Sequence, residues 1–205
     1  MTKATWALAG AACFLMFGCS DQSASQPAAP KQTVAPLPVT GQSGLFKLYQ
    51  LARSWAPDAQ VVKLDSLHMS EAPETPDKAG VWEATFLSPS LGTAKSFTWS
   101  AVDIEPSVHK GAFAGSEAPF SAGHGSSPFL IGGVKIDTDA ALATAKTKAV
   151  EYEKKNPGKP ITWVLEKTDR FSNPAWRVIW GESLGTSSFS VYIDATTGTY
   201  LETMH

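Results

Sequence analysis

The side chains best suited to chemistry in this sequence are its histidines, and their spacing brings none of them together. They are His68, His109, His124 and His205. None pairs with another at i, i+4 or in a His-x-His arrangement, so a metal site would have to be assembled from distant parts of the chain. We therefore expect loop or surface histidines, no metal and no other cofactor.

A glycine-rich stretch bears only a superficial likeness to the nucleophile loops of hydrolases. Gly123-His124-Gly125-Ser126-Ser127 lacks the Gly-x-Ser-x-Gly elbow and the strand–turn–helix context that would expose a serine. Gly132-Gly133 is not followed by the Gly-Lys-Ser/Thr of a phosphate loop. Because no catalytic grouping is present, the sequence predicts a protein that is not an enzyme.

Aromatic side chains are the other candidate functional groups, because tryptophans recur on the predicted strands. These are Trp82, Trp99, Trp163, Trp176 and Trp180. Strand alternation places Trp176 and Trp180 on one face and Arg177 on the other. The tryptophans either form a core beneath a helix or line a groove for a peptide or glycan. Trp176, Arg177 and Trp180 are the candidate partner-binding residues.

Composition argues against nucleic-acid binding. The 205 residues carry a net charge of −2, and no basic run exceeds Lys154-Lys155. A nucleic-acid surface needs a basic stripe to offset phosphate charge. The hydrophobic fraction of 43% suits a globular protein with a core. Beyond the N-terminus no apolar run approaches the roughly 20 residues that span a bilayer.

Residues 1–18 predict a lipoprotein signal peptide. Lys3 supplies a positive start, and Trp6–Phe17 is an apolar segment of signal-peptide length. The segment ends at Leu15-Met16-Phe17-Gly18-Cys19, which resembles the bacterial lipobox. That resemblance implies that Cys19 is acylated, with chains such as palmitate, after the preceding peptide is removed. Resemblance to the lipoprotein sorting pattern, with Ser20 rather than Asp after the cysteine, favours the outer membrane, facing the periplasm. The alternative is a secreted protein.

Residues 19–44 predict a disordered tether between the anchor and a folded region. The segment is rich in Ser, Gln, Pro and Ala and almost without large apolar residues. It cannot bury enough surface to offset its chain entropy. Cys13 is removed with the signal peptide and Cys19 is blocked by lipid, so packing rather than a disulfide must stabilise the folded region.

The remaining chain contains the same order of elements twice. The second half has a helix and three strands, at Ala140–Asn156, Ile161–Lys167, Ala175–Gly181 and Ser187–Asp194. The first half has a helix and three strands, at Leu45–Trp55, Val61–Leu67, Trp82–Phe86 and Ser96–Val102. The expected N-caps are Ser43 for the first helix and Asp137 or Asp139 for the second.

This repetition predicts an α+β fold made of two tandem units. Each unit would pack one helix on an antiparallel sheet of about three to four strands. The predicted units are residues 45–115 and residues 134–205. Residues 116–133, rich in Gly, Ser and Pro, would be a linker between them.

The second half also contains specific short motifs. They are Ala141, Ala145 and Ala149 on the helix, Asn173-Pro174-Ala175-Trp176-Arg177-Val178, and Val191-Tyr192-Ile193-Asp194-Ala195-Thr196-Thr197-Gly198. We expect Asp194 to accept hydrogen bonds from turn amides and Gly198 to adopt positive φ. Together these features resemble the PepSY domain, a small α+β unit often found in tandem.

The resemblance implies no catalytic residues and a role in binding or regulation. The sequence therefore predicts an exported, membrane-anchored lipoprotein. It would act as a non-enzymatic module for another envelope protein or peptide. The alternative is an envelope protein that binds a small molecule or a metal.

Overall fold

Both halves of the chain contribute to one antiparallel sheet of eight strands. The structure is a computed structural model that describes residues 35–106, 108–121 and 126–205. Its helices are α1 (Gly41–Trp55) and α2 (Thr138–Lys155), with a 3-10 turn at Ile131–Gly133. Its strands are β1 (Gln60–Ser66), β2 (Val81–Ser88), β3 (Thr93–Ser100), β4 (Gly111–Pro119), β5 (Ile161–Glu166), β6 (Ala175–Trp180), β7 (Ser190–Asp194) and β8 (Tyr200–Met204).

The prediction of two tandem helix-on-sheet units is wrong. The strand order is β4-β3-β2-β1-β5-β6-β7-β8, so the first strands of the two halves are neighbours at the centre of one sheet. Lys63, Leu64 and Asp65 of β1 pair with residues of β5. Each of these strands would otherwise leave a row of unpaired backbone groups at a sheet edge. Their pairing produces a mostly β structure with two helices.

The residues predicted as a linker are part of this sheet and its core. β4, which the sequence did not predict, extends from the first predicted unit into residues 116–133. Phe129 is 6% exposed and exchanges two backbone hydrogen bonds with Val61, at 2.8 and 2.9 Å. Gly, Ala and Ser dominate β4, so its sequence lacks the alternation that marks a strand with one buried face.

A single hydrophobic core lies between the sheet and both helices. α1 contributes Leu45 and Leu48, while α2 contributes mainly alanines, which let it approach the large aromatic side chains of the strands. The largest fully buried side chains of the strands are Trp82, Trp163, Trp176, Phe86 and Phe97. Both helices therefore cover the same face of the sheet.

The N-termini of the two helices meet and share their caps. Oδ1 of Asp137 accepts hydrogen bonds from the backbone N–H of Thr138 at 2.7 Å and of Gln42 at 2.9 Å. Oγ1 of Thr138 accepts one from the N–H of Gly41 at 3.1 Å. Asp137 is thus the cap of α2, as predicted, and it also serves α1. The prediction that Ser43 caps α1 is wrong, because Asp137 and Thr138 at the start of α2 accept the hydrogen bonds of its first N–H groups.

The folded region begins before the predicted end of the tether. Val39 exchanges two backbone hydrogen bonds with Ala79, at 3.1 and 3.0 Å. α1 then starts at Gly41. The signal peptide, Cys19 and the tether up to residue 34 lie outside the described residues.

The turn after β7 confirms the roles expected for Asp194 and Gly198. Oδ1 of Asp194 accepts from the N–H of Thr196 at 2.8 Å and of Thr197 at 2.9 Å. Gly198 has φ = 79°. Burial alone would raise the pKa of Asp194, but hydrogen bonds from Asn173, Thr197 and Thr196 outweigh it and lower that pKa.

This lowered pKa makes fold stability depend on pH. The ionised Asp194 stabilises the native state, and that contribution is lost as the pH falls below about 3.9, the unfolded value for aspartate. We expect Asp194→Asn to lower the free energy of unfolding at neutral pH by about 1–3 kcal/mol. Denaturant unfolding across a pH series should show a weaker acid dependence in the variant than in the wild type. Parallel profiles for the two proteins would contradict this role.

Candidate functional site

The face of the sheet opposite the two helices carries charged side chains on its central strands; we call it the open face. Lys63 and Asp65 of β1, Glu83 of β2 and Val164 of β5 lie on it, because side chains alternate between the two faces of a strand. The strand register places Asp65 directly opposite Glu83 on one side and Val164 on the other. The centre of the open face therefore combines charge with apolar surface.

Two loops beside these strands enclose a cleft of ≈ 410 Å³. The β1–β2 loop contributes His68 and Met69, and the β6–β7 loop contributes Glu182 and Leu184. An adjoining cavity of ≈ 390 Å³ shares His68, Met69 and Glu182, and Glu74 lines it too. We call the two cavities together the acidic cleft.

Carboxylates outnumber cationic side chains in the acidic cleft. Asp65, Glu83 and Glu182 line the larger cavity, where Lys63 is the single lysine or arginine among the lining residues. Lys63 Nζ lies 2.8 Å from Asp65 Oδ1. Asp65 and Glu83 are directly opposite each other on adjacent strands, so their charges add on this face. This excess of negative charge in a cleft favours a cationic ligand.

The surroundings of Asp65 oppose its ionisation. Burial raises its pKa, the hydrogen bond and charge of Lys63 offset part of that effect, and the charge of Glu166 adds to it. A second cation close to this carboxylate would favour its ionised form. A carboxyl with a perturbed pKa in a cleft is a candidate functional group on physical grounds.

Apolar surface lies beside the carboxylates. Val164, at 3% exposed, is in the floor of the cleft, and Leu184, at 48% exposed, is on its rim. Long basic side chains need both kinds of surface, because an aliphatic stem carries the charged head. The acidic cleft therefore matches a lysine or arginine side chain in both charge and polarity.

His68 connects the walls of the acidic cleft through hydrogen bonds. Its Nδ1 lies 2.7 Å from Glu74 Oε2, and its Nε2 lies 2.7 Å from Thr162 Oγ1. The Thr162 hydroxyl donates to the carbonyl of Gly181 at 2.5 Å. A hydroxyl has one hydrogen, so Nε2 is the donor toward Thr162, and this hydroxyl is not activated as a nucleophile. The arrangement holds the β1–β2 loop against β5 and the start of the β6–β7 loop.

The three predicted partner-binding residues do not share one surface. Trp176 and Trp180 are 0% and 2% exposed and belong to the core. The indole N–H of Trp176 donates to the carbonyl of Ile136 at 2.8 Å. The guanidinium of Arg177 lies on the open face, 5.2 Å from the centre of the Tyr192 ring. Arg177 alone presents its side chain to that face, and its contact with a partner stays a prediction.

The described histidines each have different neighbours in the fold. His68 lines the acidic cleft, His109 lies 5.6 Å from Phe113 between ring centres, and His205 lies 5.4 Å from Phe189. His124 lies outside the described residues. Within residues 35–106, 108–121 and 126–205, no group of three or more His, Cys, Asp or Glu side chains could hold a metal ion.

Sequence reasoning missed Asp65, Glu83 and Glu182. A usable signal was present for two of them, because Asp65 and Glu83 occupy central positions of predicted strands where solvent-facing residues are expected. Their juxtaposition depends on the register of β1 against β2. Glu182 follows a strand, and only the path of its loop brings it to the cleft.

Comparisons with known proteins give no family for this chain. No protein-family model matches it, and no curated protein sequence matches it. One similar solved structure is that of a "putative lipoprotein" from Clostridium difficile 630. The two share 11% sequence identity over 84% of this chain and 95% of that chain, with a TM-score of 0.42, too low to indicate a common fold. Of the two described helices, neither has the length and hydropathy needed to cross a membrane.

Proposed function

We propose that this chain is an exported, lipid-anchored and non-enzymatic protein. Its acidic cleft would bind a basic segment of another envelope protein or peptide. The observation that carries the proposal is the pairing of Asp65 with Glu83 beside the exposed apolar side chain of Leu184. A basic side chain would place its charged head between the two carboxylates and its aliphatic stem against Leu184.

An extended peptide is the ligand that best matches the shape of the acidic cleft. The two cavities share His68, Met69 and Glu182 in their linings, so one elongated ligand could reach the carboxylates of both. A segment with basic residues at intervals would meet Asp65 and Glu83 first and then Glu182 and Glu74. Each contact would add an opposite charge beside a carboxylate inside a partly enclosed site.

The hydrogen bonding of the Thr162 hydroxyl, which lines the acidic cleft, supports binding rather than catalysis. Thr162 is 6% exposed, and its hydroxyl hydrogen is directed to Gly181. Glu74 and His68 align with Thr162 at hydrogen-bond distance, but this alignment holds the two loops together. We therefore assign His68 a structural role in positioning the walls of the acidic cleft.

The proposed location depends on the N-terminal sequence. Cys19 would carry the acyl anchor, and the following segment would hold the folded region away from the outer membrane, on its periplasmic side. The PepSY-like motifs of the second half support a regulatory or binding role by analogy with that family. Metabolic labelling with a radioactive fatty acid, compared between wild type and Cys19→Ser, tests the anchor directly.

Calorimetric titration with three probes tests the binding function. They are a short end-blocked peptide of alternating lysine and valine, the same peptide with glutamate in place of lysine, and spermine. We expect the lysine peptide to bind, the glutamate peptide to show no heat of binding, and the affinity to fall with added salt. Absence of binding by the lysine peptide contradicts the proposal, and tighter binding of spermine than of the peptide favours the small-molecule alternative.

Binding of the lysine peptide is expected to weaken on acidification. Asp65 attracts a cation only when ionised, and its raised pKa means that protons compete at a higher pH than the roughly 3.9 of an ordinary aspartate. In Asp65→Asn the affinity should be lower at neutral pH and should vary less between neutral and mildly acidic pH. An acid dependence equal to that of the wild type would exclude Asp65 as the titrating group.

A further inference from the structure

Arg177 is held in place on the open face without a carboxylate partner. The strand register puts Val164 of β5 on one side of it and Tyr192 of β7 on the other. Its guanidinium lies 5.2 Å from the centre of the Tyr192 ring, and its Nε donates to Oγ of Ser190 at 3.0 Å. The ion pairs formed among the described residues all join other side chains. The two terminal nitrogens of Arg177 are therefore available to an anionic ligand.

The carboxylates that share this part of the open face are engaged by other groups. Glu202 forms an ion pair with Arg170. Glu166 accepts a hydrogen bond from the Ser126 hydroxyl at 2.9 Å. Arg170 and Arg177 lie beside the same tyrosine ring, but of these two described arginines only Arg170 has a carboxylate partner. The charge of Arg177 is thus left uncompensated.

A small pocket beside Arg177 contains further hydrogen-bond donors. Its volume is ≈ 60 Å³, and its described lining residues include Ser188, Ser190 and His205 but no aspartate or glutamate. Ser190 is 3% exposed, and its hydroxyl accepts from Arg177, so it keeps its own hydrogen for an acceptor. Liquid water occupies about 30 Å³ per molecule, so the pocket has room for a group as small as a carboxylate. Donors around so small a space fit an oxyanion.

This pocket and the acidic cleft adjoin along one row of the open face. Strand pairing puts Glu83, Asp65, Val164 and Arg177 in a line across four adjacent strands. Neighbouring strands lie about 4.8 Å apart, so the backbones at Asp65 and Arg177 are separated by about 10 Å. Leu184 lines both the pocket and the larger cavity of the cleft. One elongated ligand can therefore reach both charges.

We propose, building on the proposed function, that the pocket beside Arg177 binds a carboxylate of the same basic peptide that occupies the acidic cleft. The terminal nitrogens of Arg177 would donate to the two carboxylate oxygens, which is the fork geometry that arginine favours. The Ser190 hydroxyl would donate to one of them as well. An extended peptide advances about 3.3 Å per residue, so about three residues would separate the carboxylate from the lysine held at Asp65. The two opposite charges of the site would fix the direction in which the peptide lies.

A carboxylate on the ligand has opposite effects with and without this pocket. The acidic cleft alone repels negative charge, so a carboxylate added to the lysine–valine peptide should weaken binding if Arg177 takes no part. If Arg177 receives the carboxylate, the same addition should strengthen binding. The sign of the change therefore separates the two cases.

Calorimetric titration of the purified full chain in detergent measures that sign with three forms of the lysine–valine peptide. They are the end-blocked form, a form with a free C-terminal carboxylate, and an end-blocked form that ends in aspartate. We expect one of the two carboxylate forms to bind about tenfold more tightly than the end-blocked form, as a hydrogen bond to a charged group would provide. Which one gains identifies the source of the carboxylate.

The outcomes separate this site from the proposed function. If the end-blocked peptide binds and both carboxylate forms bind equally or more weakly, the pocket is overturned and the acidic cleft stands. If none of the three peptides binds, the proposed function and the pocket both fail.

Arg177→Gln tests whether the gain depends on the guanidinium. In this variant the carboxylate forms should bind more weakly than the end-blocked peptide, a reversal of the wild-type order. The affinity of the end-blocked peptide should not fall, because a positive charge is removed, and its binding also shows that the variant is folded. Arg170→Gln removes the same charge beside the same tyrosine ring and should keep the wild-type order. Reversal in both variants, or in neither, would overturn the assignment to Arg177.

A nuclear magnetic resonance titration of the isotope-labelled wild type needs no substitution. The tighter-binding carboxylate form should shift the amide signals of Arg177, Ser188 and Ser190, which the end-blocked peptide should leave in place. Identical shifts with both peptides would also overturn the proposal.

Discussion

Trp176→Ala is expected to destabilise the whole folded region by about 3–5 kcal/mol, as large-to-small substitutions of buried tryptophan do. The side chain is 0% exposed and packs edge-to-face against Trp163, with 5.7 Å between ring centres. Its indole N–H also satisfies the carbonyl of Ile136 at 2.8 Å. Alanine would leave a large cavity and a partly buried carbonyl without its donor.

The effect should reach both halves of the chain, because Trp176 contacts each of them. A Cβ placed on Gly41 would lie 2.5 Å from Cη2 of Trp176, so the ring fills the space directly beneath the start of α1. The tryptophan belongs to the second half of the sequence and the helix to the first. Its loss therefore weakens the junction between them.

Denaturant unfolding followed by both circular dichroism and tryptophan fluorescence measures this effect. We expect coincident transitions for the wild type and for the variant, shifted to lower denaturant in the variant. Trp176→Phe keeps most of the ring and loses the hydrogen bond, so it should cost less, about 1–2 kcal/mol. Two separate transitions, with the first half still folded in Trp176→Ala, would contradict a single cooperative sheet.

The second large effect is expected on binding. Asp65→Asn combined with Glu83→Gln should lower the affinity for the lysine–valine peptide by about tenfold or more, equivalent to about 1.4 kcal/mol. The two carboxylates lie directly opposite each other and provide the charge that attracts the ligand. Because burial already opposes the ionisation of Asp65, replacing its carboxylate with an amide should leave the variant folded.

A matched control separates this local effect from a change in total charge. Glu105→Gln combined with Glu151→Gln removes the same charge from two side chains that are 77% and 76% exposed and lie outside the acidic cleft. Its affinity for the peptide should stay close to that of the wild type. An equal loss in both double variants would show that the peptide responds to net charge and not to the cleft.

Much of the secondary structure could be predicted from the sequence because its periodicity is strong. Alternation around Trp82 and around Trp176 identified β2 and β6, and the alanine stripe identified α2. β4 escaped prediction because glycine, alanine and serine carry no alternating pattern. Local pattern therefore identified elements only where apolar residues recur at strand or helix spacing.

The arrangement of the elements could not be predicted, because it depends on contacts between distant residues. The β1–β5 pairing joins Asp65 to Val164, and neither strand contains a local signal for its neighbour. The cap of α1 comes from Asp137, which is 95 residues away from Gln42 in the sequence. The residues next to the helix start pointed to Ser43 instead. Continuous pairing across the centre is the reason that two repeated patterns form one sheet.

The candidate site could not be predicted from the sequence for the same reason, since it also depends on contacts between distant residues. Alternation correctly separated Arg177 from Trp176 and Trp180, but it could not say that helices cover the tryptophan face. Asp65 and Glu83 read as ordinary solvent-facing residues of two separate strands. Their significance arises from register and from the loops that enclose them, which no single segment of the sequence encodes.

The most direct test of the proposed binding site is a nuclear magnetic resonance titration of the isotope-labelled protein with the lysine–valine peptide. We expect the largest amide shift changes at Asp65, Glu83, Val164 and Glu182, with small changes along α1 and α2. These changes should disappear in the Asp65→Asn, Glu83→Gln variant. Shift changes centred on the helix face, or none at saturating peptide, would contradict the assignment of the acidic cleft as the binding site.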